Sequence, residues 1–188
     1  SCQSLEDCNA DGTPDECQFS DVWTVDDDGL DYPGADFISI QDAIDAASNG
    51  EEILVFPGTY TSDADEVVDL LGKEIWLHSI AGPEVTIIDG QDQRRGIQCE
   101  NGETSNTIIE GFTITNGYAI QHGGGMRVHS SDPTITNCTF TGNTADDSGG
   151  GMYNSYSAPI LTNCTFTNND AYPYDGAGSG GGGGGMYN

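Results

Sequence analysis

The chain has 188 residues, of which 31 are acidic and 4 basic, giving a formal net charge of −27. That imbalance argues against nucleic acid and anionic membrane surfaces as partners, and no apolar run is long enough to span a bilayer. The length admits one elongated domain plus a small module, and self-repulsion of this size is best screened in a salty or calcium-containing medium, which points to a secreted, extracellular or cell-surface setting.

Residues 1–20 read as a separate module. Ser1 directly before Cys2 has the form of a mature terminus after processing. Asp7, Asn9, Asp11, Thr13 and Asp15 occupy loop positions one, three, five, seven and nine, with Gly12 at six. This spacing wraps oxygen ligands around a hard cation, and Ca2+ is the cofactor it predicts. Asp7, Asn9 and Asp11 offer side-chain oxygen, Thr13 its carbonyl, and Asp15 an oxygen directly or through water. The stretch resembles the calcium loops of dockerins and thrombospondin type 3 repeats. It departs from a full EF-hand loop, because Gln18 stands at position twelve and no flanking helices are evident. Cys8 and Cys17 bracket the loop, and a Cys8–Cys17 disulfide would staple a unit too small to hold itself by burial; Cys2 competes for either partner.

Residues 21–51 read as an N-terminal strand and helix. Asp26-Asp27-Asp28-Gly29-Leu30-Asp31 is an acidic turn, with a second calcium site as its alternative. Phe37, Ile40, Ala43, Ile44 and Ala47 recur at helical spacing, and Asn49-Gly50 stops the helix. Its apolar stripe is expected to lie over the open end of the residues that follow, as a cap.

Residues 52–188 read as a solenoid. Ile135-Thr-Asn-Cys-Thr-Phe-Thr-Gly-Asn143 returns 26 residues later as Leu161-Thr-Asn-Cys-Thr-Phe-Thr-Asn-Asn169, and Ile109 to Asn116 is a weaker copy 26 residues earlier. Within each copy the apolar gaps are three and then two, so one plain strand cannot bury them all. Left-handed bends at Gly111, Asn137 and Asn163, and again at Asn116, Gly142 and Asn168, reconcile the parity. A Gly-rich loop and a third strand from Met126, Met152 or Met186 complete each turn. The expectation is an all-β parallel β-helix of about five coils, three short strands per coil. Its inward ladders are Ile109/Ile135/Leu161, Phe112/Cys138/Cys164 and Ile114/Phe140/Phe166. Earlier, less regular coils offer Ile53, Val55 and Tyr60, then Ile75 and Leu77, then Val85 and Ile87. Cys138 and Cys164 read as buried thiols, although coil spacing permits a bridge between them; Cys99 has no obvious partner. The sequons at Asn137 and Asn163 are accounted for by the bends.

Phe37-Ile-Ser-Ile-Gln-Asp-Ala-Ile-Asp-Ala-Ala47, Ile53-Leu-Val-Phe-Pro-Gly-Thr-Tyr60 and Val85-Thr-Ile-Ile-Asp-Gly90 together resemble secreted bacterial right-handed β-helix proteins of the pectin-lyase-like superfamily, over about residues 22–188. The resemblance implies a right-handed fold and leaves activity open, since lyases, hydrolases, adhesins and structural proteins share it. A lyase of this kind uses an Arg or Lys base beside a carboxylate or calcium cluster, and Lys73, Arg94, Arg95 and Arg127 are the only basic residues. His122 opens a Gly loop without a basic motif beside it, and His78 and His129 are expected on the outer face. No catalytic residue is assigned. The better-supported expectation is a structural subunit. Met186, Tyr187 and Asn188 would meet the amino-terminal region of another copy, building a head-to-tail filament or surface layer. A glycan-binding adhesin, with Tyr118, Tyr153 or Tyr156 as contacts, and a polysaccharide lyase are the alternatives. The longer last copy reads as a flexible surface loop, with a contact loop anchored by Tyr172 and Tyr174 as its alternative.

Overall fold

A computed structural model describes residues 21–172 and 182–188. The calcium loop, the Cys8–Cys17 pair and Tyr174 lie outside the described residues. Every paired strand is parallel, and the strands fall into three long sheets and one short one.

The first sheet stacks β1 (Val22–Val25), β2 (Glu51–Val55), β5 (Ile75–Ser79), β8 (Ile108–Glu110), β12 (Thr134–Thr136) and β16 (Ile160–Thr162). The second stacks β3 (Gly58–Tyr60), β6 (Thr86–Asp89), β9 (Thr113–Thr115), β13 (Thr139–Thr141) and β17 (Thr165–Thr167). The third stacks β4 (Glu66–Asp69), β7 (Arg95–Cys99), β11 (Met126–His129), β15 (Met152–Ser155) and β19 (Met186–Tyr187). Five coils therefore run through all three long sheets, and β1 adds a sixth rung to the first. The last three coils also carry a two-residue fourth strand, β10 (Tyr118–Ala119), β14 (Thr144–Ala145) and β18 (Asp170–Ala171), beyond the three expected per coil. The small side chains of Ala119 and Ala145 are buried there, where the wall runs close to the core.

Register places like above like. Ile53, Leu77, Ile109, Ile135 and Leu161 form one continuous column. Tyr60, Ile88, Ile114, Phe140 and Phe166 form a second. Val68, Ile97, Met126, Met152 and Met186 form a third. The rings of Phe140 and Phe166 stack with centroids 4.7 Å apart and planes 3° from parallel. The bends that permit this have positive φ, at Gly111 (80°), Asn137 (52°) and Asn163 (53°), and at Asn116 (49°), Gly142 (66°) and Asn168 (53°). Asparagine tolerates this region because its short side chain bonds locally.

Polar groups inside the stack are satisfied from coil to coil. Asn143 Oδ1 accepts from the Gly117 N–H at 2.8 Å, and Asn143 Nδ2 donates to the Ile114 carbonyl at 2.9 Å. One coil on, Asn169 Oδ1 accepts from the Asn143 N–H at 3.0 Å, and Asn169 Nδ2 donates to the Phe140 carbonyl at 2.9 Å. Each asparagine reaches back one coil, so buried amide groups that would each cost about 1–3 kcal/mol unpaired are bonded.

The helix α1 (Ile40–Ala46) is shorter than its apolar stripe suggested. Ser39 caps it, its Oγ accepting from the Asp42 N–H at 3.4 Å. Phe37 precedes the helix instead of joining it: its backbone pairs with β1, and its ring meets Trp23 edge-on at 5.6 Å. Ile40, Ala43 and Ile44 are buried, and the helix packs on β1, β2 and β4, closing the amino-terminal end of the stack. Lys73 Nζ donates to the Ile44 and Asp45 carbonyls at 2.5 and 3.0 Å, placing a cation on the last turn of α1.

One inward assignment is reversed. Val85 is 47% exposed and Ile87 lies outward, while Thr86 and Ile88 are buried. Register decides this, because Ile88 sits between Tyr60 and Ile114, and Thr86 satisfies its hydroxyl against Ser79 Oγ at 2.5 Å. Ile88→Ala is expected to cost about 2–5 kcal/mol in chemical denaturation, whereas Val85→Ala stays within about 0.5 kcal/mol. Equal costs would contradict this parity.

Cys99, Cys138 and Cys164 are free thiols. Cys99 and Cys138 are fully buried, and Cys164 is half-buried. Burial raises all three thiol pKa values, that of Cys138 to about 12. A raised thiol pKa holds the unreactive neutral form, so its contribution to stability is intact below pH 9 and declines as pH rises from there toward about 12. Iodoacetamide at pH 8 is therefore expected to label Cys164 slowly and to leave Cys99 and Cys138 unmodified until denaturant is added, as read by intact and peptide mass spectrometry.

Candidate functional site: the two ends of the solenoid

The three inward columns change environment abruptly at the last coil. Ile135, Phe140 and Met152 are 0% exposed and Cys138 1%. Their successors Leu161, Cys164 and Phe166 are only partly buried, and Met186 is 39% exposed. β16, β17, β18 and β19 are edge strands of their sheets, so among the described residues their outer N–H and C=O groups carry no next rung. Asn143 donates its N–H to Asn169, but Asn169 meets no corresponding acceptor among the described residues.

A cavity of about 440 Å³ opens at this end, lined in part by Asn154, Leu161, Met186 and Asn188. Asn154 takes an interior position, in register with Val128 of the coil before, and is 5% exposed. Its Nδ2 donates to Asn188 Oδ1 at 2.5 Å, while its own Oδ1 is buried without a partner. On the outer face Tyr187 stacks on Tyr153 at 5.4 Å, and Tyr153 stacks on His122 at 4.3 Å. The structure thus brings Met186, Tyr187 and Asn188 together on the last coil. Asp170 is the only charged residue between Met152 and Tyr172, in a chain of net charge −27.

The amino-terminal end is built differently. Helix α1 covers the core there, and Val22 (52%) and Ile38 (72%) are exposed beside it. Asp26, Asp27 and Asp28 bring carboxylate oxygens within 4.8 Å of one another. Each is already held by backbone: Asp26 accepts from the Tyr32 N–H, Asp27 from Thr59 at 2.9 Å, and Asp28 from Leu30 at 2.8 Å. Gly58 makes room for the Asp27 carboxylate, since a Cβ there would lie 2.3 Å from its Oδ1. The triplet shares a turn but is not joined by Asp31. Nothing in the sequence marked Asp27 as the partner of Thr59, because the two meet only when β3 folds back beneath the turn.

The remaining candidate side chains have structural partners. His78 is on the outer face, as expected, but is not isolated: it pairs with Glu52 at 2.7 Å and stacks on Trp76 at 4.0 Å. His122 lies 3.6 Å from Asp147. His129 meets Tyr156 edge-on at 5.7 Å, and Tyr156 is 89% exposed at positive φ. Arg127 pairs with Glu100 at 2.8 Å. Arg95 donates to the Gly123 and His122 carbonyls and to Gln98 Oε1, with Glu66 at 4.0 Å. Tyr118 donates its hydroxyl to Asp146 at 2.7 Å. Among the described residues no helix is long and apolar enough to cross a membrane.

No curated protein matches the chain. Residues 78–183, more than half of it, match the family described as right handed beta helix region. With every strand pair parallel and each inward column continuous, the chain belongs to the right-handed β-helix family.

Proposed function

We propose that this protein is an extracellular structural subunit, a calcium-binding β-solenoid that stacks end to end into a filament or surface layer. The observation that carries the reading is the last coil. There each inward column keeps its register into a fifth member, Leu161, Phe166 and Met186, a rung geometry that a further copy can extend. Among the described residues of the last coil Asp170 is the only charged one, so like-charge repulsion there is weak. Burying Leu161, Phe166 and Met186 beneath another copy is favourable by about 25 cal/mol per Å² of apolar surface covered.

In the proposed assembly the stack of one copy is continued head to tail by the next, so the contact is heterologous. A heterologous contact that does not close propagates as a fibre. Calcium is assigned to Asp7, Asn9, Asp11, Thr13 and Asp15 on their ligand spacing, where it would lower the net charge. A non-catalytic role is supported by the use of Lys73, Arg95, Arg127 and His122 in internal contacts. Glycan binding through exposed Tyr156 is the alternative.

Sedimentation velocity and negative-stain microscopy, with calcium and with a chelator, test the proposal. Linear assemblies that lengthen with protein concentration and calcium are expected. Met186→Asp, which adds a charge to the last coil, is expected to return the protein to monomer without loss of fold. Monomers at all concentrations would overturn the proposal, as would dimers that grow no further, since those would be tail-to-tail pairs. Asp11→Ala is expected to abolish calcium binding in titration calorimetry while the solenoid's circular dichroism is retained.

A further inference from the structure

A second surface feature is independent of end-to-end stacking. A cleft of about 670 Å³, within the range of small-molecule sites, opens beside the third long sheet, where the β4, β7 and β10 segments meet. Arg94, Arg95, Asp63, Asp65, Tyr118 and Gln121 are among its lining residues. The two arginines differ sharply. Arg95 is occupied by two carbonyls, an amide oxygen and Glu66, as described above. Arg94 is 9% exposed and has no carboxylate within ion-pair distance among the described residues. Its Nη1 donates to Gln91 Oε1 at 2.9 Å, while its Nε is buried without a partner.

A guanidinium withdrawn from water and left without an anion is costly, because its charge loses hydration and gains no counter-charge. In a chain with 31 acidic residues an internal carboxylate partner would be readily available, and none is supplied among the described residues. An arginine on the wall of a cleft offers its guanidinium N–H groups to a carboxylate through charge-assisted bonds. A simple anion is nevertheless disfavoured here. Asp63 and Asp65 stand on the same cleft, and the whole molecule repels negative charge. A ligand carrying both signs satisfies both walls.

We infer that this cleft binds a small zwitterion of the amino-acid class, its carboxylate on Arg94 and its ammonium on Asp63 and Asp65. Tyr118, with its hydroxyl held by Asp146, adds an aromatic ring to the lining of the same cleft.

The probes are a series of unbranched ω-amino acids from glycine to 6-aminohexanoate, titrated into the 188-residue protein and followed by NMR and calorimetry. Acetate and methylammonium serve as single-charge controls. At least one member of the series is expected to bind about tenfold more tightly than either control, as two charge-assisted contacts imply. Arg94→Gln is expected to weaken that binding by about tenfold or more. Because Arg94 is buried, the exposed-wall variant Asp63→Asn/Asp65→Asn provides a second reading without disturbing the core. It is expected to weaken ω-amino-acid binding about tenfold while leaving acetate unaffected or slightly improved. No binding by any member at tens of millimolar, acetate binding equal to the best amino acid, or affinity unchanged in the double-Asn variant would each overturn the inference. Met186→Asp protein used in parallel keeps this outcome separate from assembly, since the cleft does not involve the last coil.

Discussion

Vertical registry is the constraint on which this molecule depends. Each inward side chain must find a neighbour of compatible size one coil away, because the parallel ladders hold successive coils at about 4.8 Å. The columns through Ile53, Tyr60 and Val68 each continue for five members without slippage. A slip of one residue would turn every inward side chain outward, so registry and burial enforce each other. The left-handed bends at Gly111, Asn137 and Asn163 belong to the same constraint. They absorb the odd residue between apolar positions and let both flanking strands face inward. The asparagines at 143 and 169 extend it to hydrogen bonding, each serving the coil before it.

Registry also makes the ends special. A coil in the middle of the stack is buried by two neighbours and an end coil by one. At the amino end α1 supplies the missing neighbour: Ile40, Ala43 and Ile44 fill the cross-section, and Lys73 anchors the helix from the following coil. At the other end the columns pass from buried to half-exposed within one repeat, and the unpartnered Asn154 Oδ1 lies in the cavity there. The described part of the last coil carries a single charged side chain, Asp170.

The walls of the solenoid are mostly engaged in holding themselves. Outward side chains form their own columns, such as Arg127, Tyr153 and Tyr187 in register on the third sheet. Basic groups are scarce, and Lys73, Arg95 and Arg127 each neutralise a local need: a helix end, a set of loop carbonyls, a carboxylate. Arg94 stands apart from that pattern, a buried cation facing a cleft in a strongly acidic molecule. The contrast between adjacent arginines, one saturated and one not, singles out the cleft from the rest of the surface.

The repeat itself was legible from residues alone. The 26-residue return of Thr-Asn-Cys-Thr-Phe-Thr, with Asn or Gly at each parity break, is sufficient to derive the columns and the bends, because only a stacked coil makes that periodicity energetically useful. The capping helix was legible from its 3.6-residue apolar spacing, although Phe37 was drawn away into pairing with β1. Where the repeat is degenerate, local pattern misled. Val85-Thr-Ile-Ile allows either face inward, and only pairing with Tyr60 and Ile114 selected Ile88. Likewise, no local signal states that Asp27 reaches Thr59, that Arg95 is saturated by loop carbonyls while Arg94 is not, or that Asn154 Oδ1 is left without a partner. Periodicity is a property of the chain and survives in one dimension. Which particular donors and acceptors meet, and which are left over, depends on residues about 26–32 positions apart being brought to bonding distance, and that is decided only when the coils close.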